Sequence, residues 1–347
     1  MARIATFRKN WPKMLRDKAM DLPVVTNNPN SVSFRQRVEV HLARLCENGI
    51  NYEVAKLPAG FLERRKLFMQ ATRFDGFFLH RKILNFFDAF RLHRYSRKII
   101  YDFDDAVMYN TSKLGPCCLS RQRRFHRSVE LADLVIAGNS YLAEHAHKFN
   151  RRVEVLPTGL DMSAYKVETK IENDGKIRLV WIGSKSTLKY LTEIKPALEK
   201  IGSKFDNIIL RIICDDFFDL QNIRVEKHQW HKDTEAVDLI TSDIGLAPLP
   251  DDCFTRGKCG LKILQYAAAG LPVFACPVGV NAEYVHDGIT GFHAINTSQW
   301  IDRVSKLIKD RALRKQTGQA GKNRLREFDT SVLGKRLINL IVEVLEA

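Results

Sequence analysis

The chain is expected to be an α/β protein with two parallel-sheet domains, on three observations. Short apolar runs of strand length alternate with amphipathic helical stretches, the signature of repeated βα units. At 347 residues the chain exceeds one ordinary core, at roughly 100–200 residues per domain. A polar stretch over 166–176, with Glu168, Lys170, Glu172, Asn173, Asp174 and Gly175, reads as a linker between two series of such units.

In the first series, residues 22–26 form a strand ended by the turn cluster Asn27-Asn28-Pro29-Asn30. Val38, Leu42 and Leu45 share one face of a helix that stops at Asn48-Gly49. Strands follow over 50–57, 77–79, 99–103 and 134–137, and Gly138-Asn139-Ser140 leads into a helix over 141–149. A strand over 153–156 ends at Pro157-Thr158-Gly159. In the second series, strands over 177–181, 208–213, 244–247 and 272–275 alternate with helices over 188–201, 234–241 and 261–269. Helical patterns over 300–309 with its extension, and over 331–345, close the chain. The pattern predicts Rossmann-like domains over 1–165 and 166–327, facing across a cleft, and a helix in 328–347 that packs back towards the first. In such sheets ligands bind beyond the carboxyl ends of the strands.

Composition narrows the class. Hydrophobic residues make up 45% and charged ones 27%, which suits a globular chain. No apolar run approaches the ~18 residues of a membrane span, and the longest, 266–280, is broken by Gly270, Pro272, Pro277 and Gly279. The basic N-terminus lacks the apolar stretch of a secretory signal. Seven cysteines, an odd number without a Cys-x-x-Cys pair, point to reduced thiols in the cytoplasm.

Charge is uneven. Residues 1–165 carry 28 of the 55 basic and 16 of the 40 acidic residues, hence +12 of the chain's +15. Such a half attracts anionic lipid head groups or an anionic glycan. Nucleic acid is not expected, because no RNA- or DNA-binding signature accompanies the charge. Residues 3–18 hold six cations and one anion, with Ile4, Phe7, Trp11 and Met14 at helical spacing, the pattern of a basic interfacial segment.

Residues suited to chemistry fall at strand ends. Gly183-Ser184-Lys185-Ser186-Thr187 follows a strand and opens a helix, offering backbone N–H groups and a positive dipole to a phosphate. It is not a Gly-x-x-x-x-Gly-Lys-Ser/Thr loop, which argues against a P-loop NTPase. Arg256, Lys258 and Lys262 lie around another helix start, where cations oppose the helix dipole unless an anion binds. Asp102, Asp104 and Asp105 crowd one strand end inside the basic half, and His80 ends the preceding strand facing the expected cleft. Asp102-Phe103-Asp104 also has the Asp-x-Asp form of a metal site, a reading the rest of the chain disfavours. His228 and His231 flank Trp230 without the acidic or thiol partners of a metal pair.

Four segments, Val180-Trp-Ile-Gly-Ser, Asp243-Ile-Gly-Leu-Ala-Pro-Leu, Lys262-Ile-Leu-Gln-Tyr-Ala-Ala-Ala-Gly-Leu-Pro-Val and Gly279-Val-Asn-Ala-Glu-Tyr-Val-His-Asp-Gly-Ile-Thr-Gly-Phe, together resemble the C-terminal domain of group 1 glycosyltransferases, family four. Arg35-Gln-Arg37, Ile100-Tyr-Asp-Phe-Asp-Asp-Ala, Ala137-Gly-Asn-Ser-Tyr-Leu and Val155-Leu-Pro-Thr-Gly-Leu-Asp161 extend the resemblance through the first half. It implies the GT-B fold and transfer of a sugar, with retention, from a nucleotide-sugar bound in the C-terminal domain to an acceptor on the N-terminal side. It implies no required metal and no cofactor. Carried onto this chain, it puts Gly183, Ser184, Lys185, Thr187, Arg256, Lys258 and Lys262 at the donor diphosphate and Gln265 at the ribose. Asp104, Asp105 and His80 fall among the catalytic groups, and Ser33 and Arg35 on the acceptor side.

Two departures stand out. The family's Glu-x7-Glu falls on Gly257 and Gln265, and its strand-end His falls on Asp104. Taken with the reduced cysteines and the basic first half, the resemblance leads to the expectation of a cytoplasmic enzyme, peripheral at the inner face of the membrane, acting on a glycan or lipid-linked acceptor in polysaccharide or lipopolysaccharide synthesis. A nucleotide-sugar epimerase and an inactive sugar-nucleotide-binding subunit are the alternatives.

Overall fold

Alternation of buried strands and amphipathic helices builds two parallel sheets. The computed structural model describes residues 19–110, 118–166 and 174–347. The basic segment 3–18, Cys117 and most of the predicted linker lie outside them. Two compact units result: Met1–Gly159 with Arg256–Cys259 and Thr330–Ala347, and Leu160–Thr255 with Gly260–Asp329.

In the first unit the chain runs β1 (Met20–Thr26), α1 (Val32–Arg37), α2 (Leu42–Glu47), β2 (Ile50–Lys56), α3 (Phe61–Met69), β3 (Phe77–His80) and α4 (Phe86–Tyr95). It continues through β4 (Ile99–Phe103), α5 (Leu119–Glu130), β5 (Leu134–Ala137), α6 (Ser140–His147) and β6 (Val153–Val155). The strands order as β2-β1-β3-β4-β5-β6, and every pairing is parallel. β3, β4 and β5 are buried along their whole length, as parallel strands covered on both faces must be.

The second unit runs β7 (Ile177–Ile182), α7 (Lys185–Glu193), α8 (Lys195–Gly202), β8 (Ile208–Ile213), β9 (Arg224–His228), α9 (Glu235–Ile240) and β10 (Ile244–Ala247). It continues through α10 (Leu261–Ala268), β11 (Val273–Ala275), α11 (Val280–Tyr284), β12 (Gly291–His293), α12 (Thr297–Lys309) and α13 (Arg311–Arg324). Its sheet orders as β12-β11-β10-β7-β8-β9, again parallel throughout.

The last helix, α14 (Thr330–Glu346), belongs to the first unit. Its Leu333, Leu337 and Ile341 join Phe34, Val38 and Leu42 in one core, on one face of the first sheet. On the other face, Phe68 of α3 meets Phe77 with ring centroids 6.0 Å apart, and Phe125 of α5 meets Phe103 at 5.3 Å.

One expected helix is corrected. Residues 188–201 do not form a single helix: α7 ends at Glu193 and α8 starts at Lys195. Pro196 in the first turn of α8 has no N–H to donate and its ring clashes with the preceding turn, so the helix restarts there.

Candidate functional site

In the first unit the sheet register brings the predicted groups to adjacent strand ends, with His80 of β3 paired to Asp102 of β4. His80 Nδ1 lies 2.8 Å from Asp102 Oδ2, and His80 Nε2 lies 3.1 Å from Ser33 Oγ. Arg37 Nε donates to both Asp102 oxygens at 3.1 Å, and its Nη1 donates to the Leu156 carbonyl at 2.9 Å. All four side chains are buried. Burial would raise the Asp102 pKa, but the Arg37 guanidinium and His80 outweigh it and hold the carboxyl at about 2. Asp102 is thus an ionised, fully partnered carboxylate that orients His80, and both its oxygens are engaged.

The ring of His80, expected to face the cleft, is enclosed among its partners. Ser33, expected on the acceptor side, is enclosed with it, whereas Arg35 on the same helix is half-buried.

The next residue, Arg81, has φ of 59°, the left-handed region, and is the one non-glycine described residue there. That conformation costs a residue with a Cβ about 1–2 kcal/mol. What the strained backbone achieves is visible in the side chain. The Arg81 guanidinium reaches Asp104, Nε to Oδ1 at 3.2 Å, and also bridges to Asp105. Burial acts to raise the Asp104 carboxyl, and Arg81 more than compensates, holding it below the usual carboxylate range. Lys258 Nζ approaches the other oxygen of Asp105 at 2.9 Å. The loop carrying Arg256 and Lys258 is fastened in the first unit by Asn139, whose Nδ2 donates to the Lys258 carbonyl at 3.0 Å. Gly257 explains why this loop tolerates no side chain at its centre: a Cβ there would stand 2.7 Å from Ala106 Cβ and 2.9 Å from Ala106 N.

In the second unit, Gly183 ends the turn after β7 against the buried indole of Trp181. A Cβ at Gly183 would overlap that ring and stand 2.8 Å from Lys262 Nζ. Lys262, in the first turn of α10, holds its ammonium 4.0 Å from the Trp181 ring centroid, a cation–π contact. The structure therefore brings Lys262 to the small-residue turn, though 79 positions separate Lys262 from Gly183. Ser184 and Thr187 form the capping box of α7, with Ser184 N donating to Thr187 Oγ1 at 3.2 Å. Lys185 projects outward and pairs with Asp216 at 3.1 Å.

Gln265 is buried in α10 and donates from Nε2 to Glu235 Oε1 at 2.7 Å. Tyr165 OH donates to the same oxygen at 3.0 Å, and Trp230 Nε1 donates to Glu235 Oε2 at 2.7 Å. His228 pairs with Asp238 at 2.8 Å. Among the described residues, no three His, Cys, Asp or Glu side chains converge as metal ligands.

Arg81 and Glu235 went unassigned in the sequence. Nothing in the string Leu-His-Arg-Lys shows a left-handed arginine, and Glu235 carries no motif. Only the fold reveals what each one holds.

Residues 166–324 match the family model described as glycosyl transferases group 1. No curated protein matches the chain by sequence. Among solved structures, HepE of Anabaena, in complex with UDP and glucose, is similar at 13% identity and a TM-score of 0.71, over 93% of this chain and 100% of that one. A glycosyltransferase from Rickettsia africae ESF-5 is similar at 16% identity and 0.72, over 95% and 99%. WaaG, a glycosyltransferase involved in lipopolysaccharide biosynthesis, is similar at 13% and 0.63, over 92% and 99%. These likenesses identify the fold as GT-B.

Proposed function

We propose that this chain is a metal-independent, retaining hexosyltransferase of family four that moves a sugar from a UDP- or GDP-sugar to a glycan or lipid-linked acceptor. The observation that carries the reading is the meeting of Lys262 with the Gly183–Thr187 turn, inside the segment that matches the glycosyltransferase model. There an ammonium and a helix N-terminus address one small-residue turn, the arrangement that stabilises charge on a departing diphosphate. The UDP and glucose named with the Anabaena structure support a nucleotide-sugar donor, and the lipopolysaccharide role named for WaaG supports a cell-surface glycan as product.

In this reading Gly183, Ser184, Thr187 and Lys262 receive the diphosphate, with Lys185, Arg256 and Lys258 adding positive field. Gln265 and Glu235 form the polar wall for the ribose. Asp104 and Asp105, oriented by Arg81, serve the sugar and the acceptor hydroxyl, and the buried Ser33–His80–Asp102–Arg37 chain fixes that strand end. The reaction is assigned to the cytoplasm.

The test is transfer from radiolabelled UDP- and GDP-sugars to lipid extracts and glycan fractions, with the product's anomeric configuration read by NMR. Labelled product with a retained anomer, formed equally after exhaustive EDTA treatment, is the expected result. Donor isomerised without transfer would establish the epimerase reading. Donor bound but never consumed would leave a binding subunit. Activity lost with EDTA and restored by manganese would refute metal independence.

A further inference from the structure

Among the described residues, the first unit carries a cluster of large, exposed apolar side chains. Phe86, Phe87 and Phe90 lie on one face of α4, and Phe61 and Leu62 begin the neighbouring α3; all five are between 50% and 62% exposed. Three of them touch: the Phe61 and Phe87 rings meet edge to face at 6.3 Å, and Phe86 and Phe87 at 5.7 Å. Scattered apolar residues are ordinary on a surface, but five exposed on two neighbouring helices, three of them in ring contact, mark a place where something docks.

The surroundings decide what docks. Helices α3, α4 and α5 carry nine Lys and Arg against three acids. One of those acids, Asp88, is buried and bonded to Arg64 at 2.8 Å, so it offers no charge to solvent. Arg65, Lys66, Arg94, Arg123 and Arg124 are exposed on the three helices. Arginines also cover the aromatics, with Arg91 4.2 Å from the Phe61 ring centroid and Arg127 5.9 Å from that of Phe86.

We propose that α3, α4 and α5 form a docking face for an anionic phospholipid bilayer, with Phe61, Leu62, Phe86, Phe87 and Phe90 entering the interface and the flanking arginines and lysines meeting head-group phosphates. Aromatic rings suit the head-group boundary, and guanidinium groups pair with phosphate. A second copy of this face would bring positive against positive. The chain's own segment 3–18 is equally basic and would be repelled from it. This inference deepens the lipid-linked-acceptor reading by naming the membrane-facing surface, but it concerns binding alone.

The experiment is flotation of the full chain with phosphatidylcholine vesicles containing graded phosphatidylglycerol, beside the variants Phe86→Ser/Phe90→Ser and Arg123→Gln/Arg124→Gln. Thermal midpoints check that the variants stay folded. The expected result is binding that rises with phosphatidylglycerol and falls with salt. The phenylalanine pair should lose about tenfold or more in partitioning, and each arginine removed about fivefold. Donor turnover on a soluble acceptor should be unchanged in both variants, which separates failure at this surface from failure of the transfer reaction. Three results would overturn the proposal: a wild-type chain that floats at no composition, a phenylalanine variant that floats as well as wild type, or concentration-dependent self-association that the phenylalanine substitutions abolish.

Discussion

Gln265 gives its side-chain amide hydrogen to Glu235, Nε2 to Oε1 at 2.7 Å, and Tyr165 and Trp230 complete the same carboxylate. A glutamate at position 265 would face a second carboxylate at hydrogen-bonding distance. The pair holds one acid, and it lies on α9 while the amide lies on α10.

Gln265→Glu is therefore expected to destabilise the second unit by about 1–3 kcal/mol at pH 7.5. Two carboxylates at this separation cannot both ionise, so one folded-state pKa rises. Stability tied to a raised pKa is present at low pH and lost as pH rises through it. The deficit relative to wild type should therefore shrink at pH 5. Urea melts of both proteins at the two pH values measure this, and an equal deficit at both would argue against the coupling.

Asp102→Asn removes the charge facing the buried Arg37 guanidinium. The expected loss is about 3–5 kcal/mol, because an uncompensated charge is left inside the unit. In the wild type the Asp102 carboxyl sits at about 2, below its ordinary value, so its contribution is complete above about pH 4 and disappears as pH falls towards 2. Acid unfolding followed by circular dichroism should show this window in the wild type and a flattened response in the variant.

His41 supplies a second pH dependence at milder acidity. Burial, aided by Arg44 and Arg37, lowers its pKa to about 4. The unfolded chain takes up a proton near pH 6.5 that the folded protein refuses. Stability is thus full above that pH and declines until about pH 4, by up to roughly 3 kcal/mol. The slope of wild-type stability between pH 6.5 and 4.5 should be steeper than that of His41→Gln, as read from chemical denaturation.

Lys262→Ala should weaken UDP- or GDP-sugar binding by about 10- to 100-fold, the worth of a charge-assisted phosphate contact. Gly183→Ala should do similar harm, because its methyl group overlaps Trp181 and crowds Lys262. Lys185→Ala should change binding less than threefold or so, since an exposed ion pair with Asp216 contributes little. Isothermal titration resolves all three, and a Lys185 effect as large as that of Lys262 would reverse their assigned roles.

The sheets were legible from alternation because a strand buried on both faces must be a nearly unbroken apolar run, as β8 is. β9 is not legible in the sequence because Arg224–His228 is an edge strand rich in charged residues with no fully buried position. β12 is only three residues long. At the site, strand-end positions such as His80, Asp102 and Gly183 could be read from the order of elements. Their partners could not: Arg37 lies 65 positions from Asp102, and Lys258 lies 153 from Asp105. Those meetings depend on register and loop path, which leave no local periodicity in the sequence.

The place of α14 in the first core has a consequence for how the molecule comes into being. Leu333, Leu337, Ile338, Ile341 and Val344 are all buried in the core laid on β1, β3 and β4. A ribosome makes them after every residue of the second unit. Until then Phe34, Val38 and Leu42 lack the helix that covers them, while the later-made unit already has its whole sequence. Early synthesis does not confer early completion, and the nascent first unit must wait with an open apolar face that chaperones or neighbouring chains can reach.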